Sequence, residues 1–295
     1  MTHDIANRAS VQSSERFILT ISCPDRVGVV AAVSAFLAER QCFITEAHHY
    51  GDGETGVFFM RQVFTPLEPG FTRSRFDADF APIGARFNMS WRLHDARVRP
   101  RVLLLVSRFD HCLNDLLYRW RTNALAMDIP AIVSNHMTLA PLVEQHDLPF
   151  FHVPVTKETK TSAEERLFEI IEETGSELAV LARYMQVLSE EACGRLEGRC
   201  INIHHSFLPS FKGSRPYQQA HTRGVKLIGA TAHFVTRDLD EGPIISQAVT
   251  PVDHTHTAEQ MIAIGRDIEA QVLARAVNAY VERRVFLNGK RTVVF

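Results

Sequence analysis

Asn202, His204 and Asp240 are the side chains of this sequence best suited to work on a carbonyl-level carbon. The first two belong to Asn202-Ile203-His204-His205-Ser206-Phe207-Leu208-Pro209-Ser210, which follows an apolar, β-prone run ending in Cys200-Ile201. On a strand, residues two apart point to one face. An amide donor beside an imidazole is what a carbonyl oxygen needs as it becomes an oxyanion. Downstream, His233-Phe234-Val235-Thr236-Arg237-Asp238-Leu239-Asp240-Glu241-Gly242-Pro243 sets Asp240 in a Gly-Pro turn, where a carboxylate can orient an imidazole, hold a water or move a proton. Each residue also has a plainer reading: a lone histidine is more often structural, and Asn202 or Asp240 could simply serve a turn. Taken together they point to attack on a carbonyl carbon without a serine or cysteine nucleophile.

These two segments, joined by Gly229-Ala230-Thr231-Ala232-His233, resemble the folate-dependent formyltransferase family, and most closely its deformylase branch. The resemblance runs from about Phe17 to the C-terminus. It implies hydrolysis of 10-formyltetrahydrofolate to tetrahydrofolate and formate, supplying formate and balancing one-carbon folate pools for purine synthesis. The catalytic residues it implies are Asn202, whose amide stabilises the formyl oxygen, together with His204 and Asp240. His205 stands where related transferases have proline, and either helps to hold the hydrolytic water or only shapes the loop. By the same resemblance Tyr184, Met185, Val187 and Leu188, in the run after a strand, read the pterin edge. Thr236, Arg237, Glu241 and Gly242 form the opposite wall. No cofactor is implied, because the folate is the substrate. The alternative reading is a formyltransferase acting on an unidentified amine acceptor.

Ser107-Arg108-Phe109-Asp110-His111 occupies the strand-to-helix connection that usually cradles phosphate. Transferases acting on a phosphorylated ribonucleotide carry glycines there, which let backbone approach the phosphate. A bulky loop bearing a carboxylate is a poor cradle, so the reading is a second-substrate site deleted or filled. Gly51-Asp52-Gly53-Glu54-Thr55-Gly56 matches the dinucleotide-binding glycine pattern literally but runs into Val57-Phe58-Phe59-Met60, which is strand-forming. A hairpin turn is the better expectation, since the dinucleotide pattern must open a helix. The 14 histidines include His48-His49, His204-His205 and His254-x-His256, none with zinc-motif spacing or a cysteine pair nearby, so no metal is expected.

The elements that must position these residues fall into two patterns. Strand-like runs at 17–22, 42–50, 57–64 and 87–93, with helical spacing at 27–40 and 76–86, give the order β-α-β-β-α-β, a ferredoxin-like pattern. With Cys23-Pro24-Asp25-Arg26-Val27-Gly28-Val29 this segment, residues 1–95, resembles an ACT domain. That family's domains bind small amino acids, with glycine or methionine the suggested effectors, and often assemble subunits; Asp25, Arg26, Val27 and Gly28 would hold the effector. A charged, proline-containing stretch from His94 to Arg101 marks the boundary. Residues 99–295 then alternate strands (102–106, 131–134, 151–153, 178–181, 201–203) with helices (near 112–123, 138–146, 162–174, 189–196), which predicts an α/β, Rossmann-like parallel sheet covered on both faces. Ligands collect outside the carboxyl ends of such strands, where Asn202 and His204 fall. Two further strands are expected at 227–235 and 244–252, and a last helix from Thr257, capped with Gln260, to about Arg284.

At 295 residues, 45% hydrophobic and 22% charged, the composition is that of an ordinary globular protein. A formal net charge of −2 offers no field to gather nucleic acid or an anionic membrane, though a local basic patch for an anionic substrate is compatible with it. Met1 to Arg16 lacks the apolar core of a signal peptide, and no run is long enough to span a bilayer. Five cysteines at irregular spacing read as reduced thiols of a cytoplasmic enzyme, and the ACT-domain resemblance implies a homo-oligomer.

Overall fold

A computed structural model describes residues 15–208 and 216–295. The described chain forms two compact units, one extending to Val98 and the other spanning Arg99–Val294.

In the first unit the strands are β1 (Phe17–Pro24), β2 (Cys42–Asp52), β3 (Val57–Pro66) and β4 (Ser90–Asp95), with helices α1 (Val29–Glu39) and α2 (Arg73–Phe87). They pair antiparallel in the order β2-β3-β1-β4. One sheet face packs Leu19, Ile21, Met60 and Phe64 against Val33, Phe36 and Phe80 of the helices. The glycine-rich segment is a hairpin turn: the Gly56 N–H donates to the Asp52 carbonyl, and Gly56 takes φ 66°. The chain enters β3 there and no helix follows, so the dinucleotide requirement fails. The fourth strand starts three residues later than its apolar run suggests. Asn88 takes φ 53° at the end of α2, a left-handed cap that keeps Phe87 on the helix.

The second unit is built on a seven-stranded sheet. Its strands are β5 (Val102–Val106), β6 (Ile132–Ser134), β7 (Phe150–His152), β8 (Leu178–Leu181), β9 (Cys200–His204), β10 (Leu227–Phe234) and β11 (Ile244–Pro251). The order is β11-β10-β9-β8-β5-β6-β7, parallel from β7 through β9 and antiparallel at β10 and β11. The helices are α3 (His111–Arg121), α4 (Ala140–Glu144), α5 (Lys160–Thr174), α6 (Glu190–Arg195), α7 (Pro216–Arg223) and α8 (Ala258–Val281). Strand alternation divides the apolar side chains between two cores. Leu104, Val180 and Ile203 face α3 and α8, while Leu103, Leu105 and Leu181 face α5 and α6. Continuous apolar runs such as Val102–Val106 are what a strand buried on both faces requires.

Helix α8 opens with the expected capping box. The Thr257 hydroxyl accepts from the Gln260 N–H, and the Gln260 side chain accepts from the Thr257 N–H. It stops at Val281, earlier than expected, and the chain then forms a hairpin, β12 (Val285–Asn288) and β13 (Arg291–Val294), turning at Gly289 with φ 60°. All five cysteines are free and buried. Among the described residues no helix is long and apolar enough to cross a membrane.

Candidate active site

The end of β9 and the strand beside it create the site. Asn202 and His204 leave one face of β9, and antiparallel pairing sets His233 of β10 opposite Asn202. Three polar side chains thereby meet at one end of the sheet. The Asn202 amide nitrogen lies 3.4 Å from His233 Nε2. His233 Nδ1 is 2.8 Å from the Phe234 carbonyl, so Nδ1 carries a proton and donates it to that carbonyl.

Asp240 completes the group from the loop between β10 and β11. One carboxylate oxygen is 3.2 Å from His204 Nδ1, and the other is 3.7 Å from His233 Nε2. Burial disfavours the charge on Asp240, but the hydrogen bond from His204 and the nearby His233 outweigh it and hold the carboxyl well below its usual range. The backbone is bent to deliver this group. Asp240 adopts φ 58°, an uncommon conformation that aspartate tolerates better than most residues. Two residues on, a Cβ on Gly242 would lie 1.8 Å from the Phe234 carbonyl, so only glycine lets the loop pass that close.

His205 follows on the far side of His204, with ring centroids 5.0 Å apart. Burial, then the Arg183 and His204 charges, push its pKa down to about 4. It is therefore a neutral ring at pH 7, able to bond a water but not to supply positive charge. The start of its loop is held by Thr231, whose hydroxyl donates to the Ser206 carbonyl and accepts from the Leu208 N–H. The remainder of the segment expected to run from His205 to Arg215 lies outside the described residues beyond Leu208.

These groups open on a cavity of about 960 Å³. Tyr184, Met185, Val187 and Leu188 line one wall, as the sequence suggests. That wall is fixed at both ends: the Met185 N–H donates to Ser107 Oγ at 2.9 Å, and Ser189 donates to Glu164 through its N–H and its hydroxyl. Burial pushes the Tyr184 hydroxyl up to about 12, so it stays a neutral donor. Met185 and Val187 keep exposed apolar side chains, suited to lie against a flat ring. Thr236, Arg237, Glu241 and Gly242 line the opposite wall. Asp25, Arg26, Val27 and Gly28 lie in the first unit, in the exposed turn between β1 and α1, where Gly28 takes φ 97°. The Asp25 carboxylate sits so close to Gly51 of β2 that a Cβ there would be 2.3 Å from it.

The connection after β5 is filled by side chains. Phe109 lies 5.4 Å from the Arg183 guanidinium, and His111 Nε2 bonds Glu269 of α8 at 2.8 Å. Glu269 is 1% exposed. It also accepts from the Tyr217 hydroxyl at 2.8 Å and pairs with Arg183 Nε at 3.3 Å. His111, Cys112 and Glu269 bring potential ligand atoms within 4.8 Å of one another, but the Arg183 guanidinium already supplies the positive charge there.

Three features escape a reading along the chain. His233 joins Asn202 only through the β9–β10 register. Glu269 meets His111 across 158 positions. Lys290, Arg291 and Thr292 line the cavity from the C-terminal hairpin, for which Asn288-Gly289 between alternating runs was an available turn signal.

Comparison with known proteins agrees with this geometry. Residues 100–277 match the formyl transferase family. A formyltetrahydrofolate deformylase of Corynebacterium sp. (strain P-1) is 47% identical over 279 residues, covering 95% of this chain and 98% of that protein. The crystal structure of a formyltetrahydrofolate deformylase from Burkholderia mallei superposes with a TM-score of 0.92 at 55% identity, covering 95% of this chain and 99% of that one. One from Pseudomonas syringae pv. tomato gives 0.93 at 46% identity, covering 99% and 98%. The chain therefore belongs to the formyl transferase family, within its formyltetrahydrofolate deformylases.

Proposed function

We propose that the second unit, residues 99–295, binds 10-formyltetrahydrofolate in the cavity and hydrolyses it to tetrahydrofolate and formate. The observation that carries the mechanism is the ionised Asp240 carboxylate held against His204 at the cavity wall. Water attacks the formyl carbon. The carbonyl oxygen takes up the electron pair and is stabilised by the Asn202 amide and a protonated His204. Asp240 organises the attacking water and helps move its proton to N10 as the C–N bond breaks and formate leaves. His205, neutral at pH 7, is suited to holding that water. No metal, nucleotide or covalent enzyme intermediate takes part. His233 acts through others: its Nε2 lies 3.4 Å from the Asn202 amide nitrogen and 3.7 Å from an Asp240 carboxylate oxygen.

The connection after β5 favours water over a phosphorylated amine acceptor, because it presents the bulky Arg108, Phe109 and Asp110 where glycines would let backbone approach a phosphate. The first unit supports an ACT-like regulatory role. It has the β-α-β-β-α-β order and an exposed glycine turn at Asp25–Gly28 open to a small amino acid such as glycine or methionine. Its edge strand β2 exposes Phe43 and Tyr50 and suits pairing with a second copy in a homo-oligomer. We place the enzyme in the cytoplasm, where five buried free thiols persist and where its formate would feed purine synthesis. The test is direct: pure protein given 10-formyltetrahydrofolate and no amine should release formate and tetrahydrofolate in equal amounts over many turnovers. Formate at trace levels, with transfer to an added amine instead, would reverse the assignment.

A further inference from the structure

We propose that Arg183 selects the acceptor: its side chain walls off the space between the reacting residues and the connection after β5, so that water reaches the formyl carbon and an amine does not. This deepens the hydrolase reading above and rests on it. The backbone gives the first sign. Seven described residues other than glycine take positive φ. Five of them, Gln41, Asn88, Asn123, Asp147 and Arg283, lie within three residues past the end of a helix, where a left-handed residue is routine. The other two, Arg183 at φ 65° and Asp240, end no helix, and both line the cavity. Glycine would take this backbone freely, and a larger residue held there against strain marks a place where function holds it.

Topology puts this side chain between two regions. Arg183 lies two residues past β8, whose last residue, Leu181, pairs with Leu105 of β5 on one side and Asn202 of β9 on the other. The side chain is 12% exposed and turns towards the β5 side: its guanidinium lies 5.4 Å from the Phe109 ring, and its Nε is 3.3 Å from Glu269. That ion pair lacks hydrogen-bond alignment, and the buried Nε has no hydrogen-bond partner. His111 and Tyr217 supply the hydrogen bonds of Glu269. Arg183 is thus held in place by the charge of Glu269 without satisfying it. Arg183 lines the cavity with Asn202, His204 and His205, whereas Phe109, His111, Tyr217 and Glu269 do not, so Arg183 is the wall between them. Tyr217 stands on the same side of the site, its ring 6.4 Å from that of His205. Removing the Arg183 side chain would join the cavity to the space in front of Glu269.

The probe is O-methylhydroxylamine, an amine that is neutral at pH 7 and larger than water. Its nitrogen would attack the formyl carbon, the C–N10 bond would break, one amine proton would pass to N10, and N-methoxyformamide would leave with tetrahydrofolate. Given 10-formyltetrahydrofolate and a fixed excess of the amine, mass analysis reads the share of formyl groups in each product, less the enzyme-free reaction. Wild type should give almost only formate. Arg183→Gly, which suits the backbone and removes the wall, should raise the amine's share roughly tenfold or more, and Arg183→Lys, which refills the space, should keep the wild-type partition. An unchanged partition in Arg183→Gly, whatever its kcat, or a wild type that loses as much formyl to the amine as the variant does, overturns the proposal. If the bare charge of Glu269 prevents folding, Arg183→Gly combined with Glu269→Gln is read in the same way, since the amide keeps partners for His111 and Tyr217. If wild type releases no formate when the amine is left out, the hydrolase reading fails, and the ratio of N-methoxyformamide made by variant and wild type decides the role of Arg183.

Discussion

The Asp240 and Glu269 carboxylates of the second unit each face histidine, and their surroundings are built to opposite ends. Asp240 stands on a strained loop, its side chain 27% exposed, with His204 at hydrogen-bond distance and His233 farther off. Glu269 lies inside a helix, its side chain 2% exposed, and is met by His111, Tyr217 and Arg183. Even the helix surface is shaped for it: a Cβ on Gly265 would lie 2.0 Å from the Tyr217 hydroxyl, so the glycine makes room for the tyrosine to reach one turn further. Both carboxyls are held below their usual range against the cost of burial, so a perturbed carboxyl by itself does not mark chemistry. Access marks it. The carboxylate that opens on a cavity beside unused donors is positioned to react, and the fully surrounded one holds the fold and closes the space beside it.

That contrast separates the effects of substitution. Asp240→Asn should lower kcat by about 10²–10⁴ while the thermal midpoint stays near the wild-type value, and His204→Ala should do the same. Near-normal turnover in either variant, with folate binding unchanged, would break the comparison on its reactive side. Glu269→Ala should behave in the opposite sense. Removing one member of a buried ionic group strands the others, at about 3–5 kcal/mol in denaturant unfolding. A fully stable Glu269→Ala protein would mean that the closed cluster holds nothing together.

His205 gives a smaller effect, and one that depends on pH. Its pKa falls from the ordinary 6.5 to about 4 in the folded protein, so between these values the unfolded chain binds the extra proton. Stability is therefore lost as pH falls through this window, by about 2 kcal/mol between pH 7 and pH 5. Unfolding curves of His205→Gln should lack that part of the slope. Asp240 titrates far below the window and adds nothing to it. The smallest change is Tyr217→Phe, which removes one of Glu269's hydrogen bonds and should cost about 1–2 kcal/mol with catalysis nearly unaltered.

How much of this could be read along the chain follows from the range of the interactions. Val102–Val106 and Leu178–Leu181 are recognisable because a strand buried on both faces is a continuous apolar run. The start of α8 is recognisable because Thr257 and Gln260 act within one turn. Asn202, His204 and Asp240 are singled out by residue type and spacing, and the fold brings them together. The end of α8 is not legible in the sequence, because Arg283 and Arg284 extend a helical composition past Val281, whereas Arg283 takes φ 56°. Helix α7 is only eight residues long, too short for its periodicity to stand out from the loop before it. His233 and Glu269 acquire their places only through strand register and the packing of α8 against α3, which no local pattern encodes.

The claim at the centre of this account is that water, aligned by Asp240 and His204, receives the formyl group. The most direct test is hydrolysis of 10-formyltetrahydrofolate in ¹⁸O-labelled water, with and without glycinamide ribonucleotide, followed by mass analysis of the formate. One solvent oxygen should appear in each formate, at a rate the amine does not change. Unlabelled or trace formate, with tetrahydrofolate release accelerated by the amine as it takes the formyl group, would contradict it.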